Sequence, residues 1–437
     1  MVVAAAVGLR VAYVLLVLDD VESGFDALWY LLQGSLIEGG TGYVVPTSIF
    51  EGRPLPTASF PPAYPAWQAL WQAVVGGGVT SARIAGIVPG VATVVLTGLL
   101  GRRLLGARLG LVAATLVALD PAMVAVDGST MSENLAVPLT VASVLVALRI
   151  ADEGLRPAPL LALGVLGGAA TLTRQDLVLL AALLAVVAVV LAPAPAGGRT
   201  VRRVEALVAV AVVGLAVVGP WMWRNHERLG TWAISTTSPS SALAGSNCEA
   251  TYRGPDLGSW DHDCVVAAVP GGDPTEVEVA AAQREAGLDH LRSNLDRLPL
   301  VLAARQARVW ALWDPGDLAE RDADETRDRE LQVVARAVEG PVLLAGLAGL
   351  LLVVRRRRRT WPVTIVPFLV VVASAAATYG NPRFNSIAHP LAAVGLAALV
   401  GWLVARRRSP APPAEPAGSV TVTEPGVVTA APDPAPR

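Results

Sequence analysis

Lysine is missing from this 437-residue chain, and all 34 basic residues are arginine. With alanine and valine abundant, that looks like the codon bias of a high-GC bacterial genome and says nothing of mechanism. Charge is scarce too: 16% of residues are charged, against about 25% in a soluble domain, while 53% are hydrophobic. An ordinary water-soluble enzyme is excluded. The net charge of −2 also excludes a nucleic-acid binder whose affinity comes from neutralising phosphates. Two cysteines allow a single intrachain disulfide. His226, His262, His290 and His389 are scattered and never stand at ligand spacing, so no metal or other cofactor is implied.

What the chain has instead is long apolar runs, with a mean hydropathy of +0.53. Crossing a ~30 Å hydrocarbon layer as a helix takes about 20 apolar residues, and about ten runs approach that length. They cover residues 2–18, 82–100, 109–126, 135–150, 158–172, 177–191, 204–220, 337–354, 363–379 and 387–404. The first lacks the basic start and small-residue cleavage site of a secretory signal and reads as a retained helix, with Asp19 and Asp20 as solvated helix-end charges. The predicted fold is an all-α polytopic membrane protein.

Arginines flank short connections at 102–108, 149–156, 199–203, 355–359 and 406–408, all on one side if the spans alternate. Positive residues resist translocation, so that side is the cytoplasm. Two segments on the opposite face, 19–81 and 221–336, are too long to be turns. The expected organisation is an N-terminal membrane module (1–220, with the first outer loop 19–81), a large extracytoplasmic segment (221–336), C-terminal spans (337–404) and a Pro/Ala/Val/Thr-rich cytoplasmic tail (405–437). In the outer segment, Val277, Ala281, Ala286, Leu288, Leu291 and Leu295 are spaced for an amphipathic surface helix. The apolar run 298–313, interrupted by Arg305 and Arg308, reads as interfacial. Cys248 and Cys264 face an oxidising exterior and are a disulfide candidate.

Ionisable groups at membrane depth are costly and therefore functional candidates. They collect on the outer side: Asp26 with Tyr30, Asp127 with Glu133, Arg174 with Asp176, Arg224 with Asn225, and Arg383. Arg174 and Arg383 break the positive-inside pattern where a cation is useful to a phosphate. Carboxylates beside guanidiniums suit a reaction on an anionic lipid headgroup, with one carboxylate as general base.

The same residues carry a family resemblance. Phe25-Asp26-Ala27-Leu28-Trp29-Tyr30 with Leu36-Ile37-Glu38-Gly39-Gly40-Thr41-Gly42-Tyr43 resembles the first outer loop of polyprenyl-phosphate-dependent glycosyltransferases with the GT-C fold, the group of protein O-mannosyltransferases and aminoarabinose transferases. Phe60-Pro61-Pro62-Ala63-Tyr64-Pro65, Met131-Ser132-Glu133, Thr171-Leu172-Thr173-Arg174, Pro220-Trp221-Met222-Trp223-Arg224-Asn225 and Pro382-Arg383-Phe384 follow in the family's order. The resemblance implies a GT-C-like bundle and inverting sugar transfer from a polyprenyl-phosphate-linked donor, on the outer face of the cell membrane. The acceptor can be protein, lipid or glycan. It also implies Asp26 as general base, Glu133 as a second acid, and Tyr30, Tyr64, Arg174, Arg224, Asn225 and Arg383 as substrate contacts; Asp127, from its outer position alone, is a further candidate acid. Phe60 departs from it, since some members carry Lys there. The alternative is a transporter or flippase for a lipid-linked saccharide, for which Gly167-Gly168 would be a helix break.

Overall fold

In the computed structural model residues 1–18, 24–193, 197–323, 325 and 327–408 are described. Asp19, Asp20 and the tail beyond residue 408 lie outside the described residues.

Each apolar run becomes a helix. The first is α1 (Val2–Leu16); α2 (Phe25–Glu38) and α3 (Ala63–Val75) follow in the first loop. Next come α4 (Val79–Ala85), α5 (Ile87–Leu105), α6 (Ala107–Leu119), α7 (Pro121–Gly128), α8 (Glu133–Glu153), α9 (Pro157–Thr173), α10 (Leu177–Leu191) and α11 (Arg199–Leu229). The long second segment folds into α12 (Pro239–Ser246), α13 (Glu249–Tyr252), α14 (His262–Ala267), α15 (Glu276–Ser293), α16 (Leu298–Val309) and α17 (Pro315–Ala323). The chain ends in α18 (Arg329–Gly349), a π-helical stretch and α19 (Arg355–Arg357), α20 (Pro362–Ala377) and α21 (His389–Arg408). Among the described residues the only β feature is an isolated bridge, Val44 to Pro56.

Among the described residues, by length and composition, five helices can cross a membrane, and six if α6 and α7, bent by 59° at Asp120, count as one span. Four shorter apolar helices, α1, α9, α10 and α20, stand beside them. The bend has a local cause: Pro121 opens α7, and the Asp120 side chain accepts its Ala122 N–H at 3.0 Å.

Small residues set the bundle's packing. A Cβ on Gly349 would lie 2.0 Å from the Gly395 carbonyl, so these helices touch backbone to backbone. Gly167 and Gly168 do not interrupt α9, which runs unbroken to Thr173. They let its neighbours approach: a Cβ on Gly168 would meet Val217 Cβ at 2.7 Å. The feature that most suggested a transporter is a packing contact.

The arginine-rich connections share one end. Arg103 binds Asp152 at 2.9 Å, Arg358 donates to the Arg103 carbonyl at 3.0 Å, and a Cβ on Gly154 would lie 3.3 Å from the Pro193 carbonyl. Gly106 and Gly154, with φ of +97° and +96°, close the turns there.

The large segment differs from expectation in two places. The amphipathic helix is present as α15, opened by a reciprocal Thr275–Glu278 cap, but its covered face centres on Gln283 and Gly287. Ala281, Ala286 and Leu295 of the expected stripe are exposed. Gly287 causes this, because α15 approaches α12 so closely that a Cβ there would lie 2.6 Å from the Leu243 carbonyl. Arg305 and Arg308 of α16 are buried, where interfacial cations would snorkel. Backbone carbonyls receive them: Ala376 and Ser246 for Arg305 at 3.0 and 2.6 Å, Leu257 and Pro255 for Arg308 at 2.8 and 2.7 Å. Cys248 and Cys264 are joined in a disulfide, Cα to Cα 6.3 Å.

Candidate functional site

At the end opposite the arginine-rich turns, four loop-to-helix junctions deliver charge to one place. Asp26 sits in the first turn of α2, whose N-cap is Gly24. Glu133 is the first residue of α8, after a fully buried turn of residues 129–132. Arg174 caps the C-terminus of α9 in an extended conformation, which swings its side chain off the helix end. Arg383 lies in the 3-10 turn Pro382–Ala388, fixed by its own N–H on Asn381 Oδ1 at 2.9 Å.

Arg383 is the hub. Its Nε donates to Glu133 Oε1 at 3.0 Å, and its Nη1 donates to Asp26 Oδ2 at 3.2 Å and Glu325 Oε1 at 3.1 Å. Arg174 donates to the same Glu133 oxygen and grips Asp176 with both Nε and Nη2, each at 3.1 Å. That fork onto a carboxylate is the geometry a guanidinium offers equally to phosphate. Phe384 supports both cations, its ring centre 5.1 Å from Arg174 and 6.0 Å from Arg383. Burial disfavours the Arg174 charge, but the Asp176 and Glu133 carboxylates outweigh it and hold its pKa above the ordinary value.

Exposure divides the carboxylates. Glu133 is fully buried, whereas the Asp26 side chain is 35% exposed. Asp26 is the carboxylate that solvent reaches, while Glu133 lies between the two guanidiniums and holds them together. Removing such a buried partner would strand charge, at a cost of about 3–5 kcal/mol.

Tyr30 and Tyr64 form the adjoining wall. Their rings meet edge to face at 5.1 Å, Tyr30 is bonded to Ser132, and Gln68 donates to the Tyr64 hydroxyl at 2.8 Å. Burial raises both phenol pKa values. Phe60 packs among these rings, 5.2 Å from Tyr30 and 4.4 Å from Trp29, so this position supplies packing to the wall.

Three expected site residues lie elsewhere. Asp127 is paired with Arg10 at 2.7 Å and packed against Gly90, which commits it to tying α1 to α7. Arg224 donates to the carbonyls of Thr57 and Tyr43, both at 2.6 Å, and Asn225 donates to the Ala233 carbonyl at 3.2 Å. Arg224 clamps the first loop and Asn225 the stretch that follows α11, and neither joins the Arg383 cluster.

Several members of the site lack a sequence signal. Glu325 and Asn381 touch Arg383 or each other, yet Glu325 lies in an acid-rich run that reads as a solvated face. Behind it a buried polar chain runs on through Arg327, Asp322, Arg336 and Glu339 to His389, which bridges Glu339 at 3.0 Å and Asp120 at 2.6 Å. Among the described residues the one His/Cys/Asp/Glu group within ligand reach is Cys248, Asp261 and Cys264, and its cysteines are joined to each other.

Residues 59–223 match the model of the family described as dolichyl-phosphate-mannose-protein mannosyltransferase. No curated protein matches the sequence. Of solved structures, the oligosaccharyltransferase AglB from Archaeoglobus fulgidus, in complex with an inhibitory peptide and a dolichol-phosphate, superposes with a TM-score of 0.52 at 15% identity, over 93% of this chain and 50% of that one. Its apo form gives 0.51 at 16% identity. ArnT from Cupriavidus metallidurans, bound to undecaprenyl phosphate, gives 0.42 at 16% identity over 91% of this chain and 77% of that one. The chain spans half the length of AglB. It thus has the all-α membrane fold of GT-C glycosyltransferases, with the dolichyl-phosphate-mannose-protein mannosyltransferase pattern over residues 59–223.

Proposed function

We propose that this protein is an integral membrane glycosyltransferase that moves a sugar from a polyprenyl-phosphate-linked donor to an acceptor at the outer face of the membrane. The matched family is named for a dolichyl-phosphate-linked sugar donor, and AglB was solved with a dolichol-phosphate, so both support a lipid-phosphate substrate. Arginine-rich turns at the far end support the orientation, because they resist translocation.

One observation carries the reading: the partly exposed Asp26 is held by Arg383 beside a second cation, Arg174. A lipid donor arrives laterally and its phosphate leaves with a growing negative charge, which preorganised guanidiniums stabilise. Asp26 takes the proton from the acceptor hydroxyl or amine as that atom attacks the anomeric carbon. The new bond forms as the carbon–oxygen bond to phosphate breaks, and the electron pair leaves on the lipid phosphate. Attack from the side opposite the leaving group inverts the anomeric centre. Tyr30 and Tyr64 stiffen the wall on which Asp26 stands. The test incubates purified membranes with radiolabelled polyprenyl-phosphate sugars: label moving to an acceptor in wild type is expected, and no transfer from any common donor would favour transport instead.

A further inference from the structure

Glu325 fills a nest of donors it only partly uses. Its Oε1 accepts from both Arg383 Nη1 at 3.1 Å and Asn381 Nδ2 at 3.0 Å. Its Oε2 is buried without a hydrogen bond, 3.9 Å from Arg327 Nη2. Arg327 is 1% exposed and spends Nη1 on Asp322 at 2.9 Å, while its Nε and Nη2 have no hydrogen-bond partner. A buried guanidinium with idle N–H groups is costly unless something else uses them.

The shape and the charge of the gap both point to an anion larger than a carboxylate. The Glu325 carboxylate satisfies Arg383 and Asn381 through one oxygen and leaves the other 3.9 Å from Arg327 Nη2, whereas the tetrahedral oxygens of a phosphate would spread over all three. Around the hub Asp26, Glu133, Asp176, Asp322 and Glu325 oppose Arg174, Arg327, Arg336 and Arg383, five negative charges against four positive. A phosphate enters such a cluster favourably only if a carboxylate leaves.

We propose that Arg383, Asn381 and Arg327 form the seat for the donor's lipid phosphate, and that the Glu325 carboxylate occupies this seat in the empty enzyme until phosphate displaces it. The proposal rests on the glycosyltransferase reading. Glu325 acts as a built-in competitor: it neutralises Arg383 while the site is empty and excludes weakly bound anions. Displacing it also frees Arg383 Nη1, the atom shared with Asp26.

The test measures binding of a short-chain polyprenyl monophosphate to the full-length protein in nanodiscs, with inorganic phosphate as a second probe. Replacing Glu325 by Gln keeps the shape and removes the charged competitor, and the lipid phosphate should bind about tenfold tighter than to wild type. Glu325→Ala carries the same prediction should the Gln variant fail to fold. Tightening for the lipid alone, or for both probes, supports the seat. Wild-type binding that both variants leave unchanged or weaken overturns it, while the glycosyltransferase reading stands. If neither wild type nor variants bind the lipid phosphate, that reading falls and takes the seat with it.

Discussion

Arg383 reaches across 357 positions of sequence to place Nη1 3.2 Å from Asp26 Oδ2, while its Nε rests on the buried Glu133. One side chain therefore ties the first loop, the start of α8 and the entry to α21. Any account of the site must explain why a cation is shared among carboxylates that lie so far apart in the chain.

Replacing Arg383 by Gln leaves Glu133 with one cation and Asp26 and Glu325 with one fewer. Breaking buried pairs from one side costs about 3–5 kcal/mol, so the variant should unfold at clearly lower temperature and transfer no sugar. Lys should not restore transfer, because a point charge cannot serve the Nε and Nη1 directions together. Thermal unfolding in detergent and the radiolabel assay check both. A fully active Lys variant contradicts the account.

Burial raises the Glu325 carboxyl above its ordinary range, against the pull of Arg383 and Arg327. The sign follows by linkage. Between the unfolded value of about 4.3 and the raised folded value, the folded chain holds a proton that the unfolded chain has lost, so this group's contribution falls as pH rises. Glu325→Gln removes the slope. The variant's unfolding temperature relative to wild type should climb through that window and level off above it. A flat difference across pH sinks the prediction.

The Cys248–Cys264 disulfide closes a loop with sequence separation 16 between α11 and α18, remote from the Arg383 hub in sequence. Closing a loop of that length contributes about 3 kcal/mol in the chain-entropy model. The double Ser variant should lose thermal stability and keep its sugar transfer per folded molecule. Loss of transfer with stability unchanged would contradict this division of roles.

Gly168→Val tests the packing of α9 on α11, where even a Cβ would meet Val217 at 2.7 Å. Overpacking typically costs about 1–3 kcal/mol, so lower yield and earlier unfolding are expected. If the glycine pair were a transporter's hinge, the variant would fold normally and lose only function.

Much of the bundle is legible because its signal is local. Apolar runs at 82–100 or 177–191 and arginines beside short turns each report their own neighbourhood. Asp26, Glu133, Arg174 and Arg383 were found as polar residues in positions that penalise charge. Glu325 and the pair His389–Asp120 were not, since each meets its partners only through tertiary contacts and sits in an unremarkable local pattern. Asp127 and Arg10 show the converse: a buried carboxylate that stands out in sequence is spent on a helix-to-helix pair. Arg224 stood out for its motif, and its donors are consumed by the loop carbonyls of Thr57 and Tyr43. Local pattern marks which residues are unusual, and only packing says which of them share a site.

The most direct measurement is sugar transfer by Asp26→Asn in membranes that also report lipid-phosphate binding. Asn fits the same space, keeps a carbonyl oxygen for Arg383 and cannot accept the acceptor's proton. The account predicts normal expression, retained binding of polyprenyl phosphate and transfer lowered at least about a hundredfold, the scale of a lost general base. Transfer at the wild-type rate would contradict it.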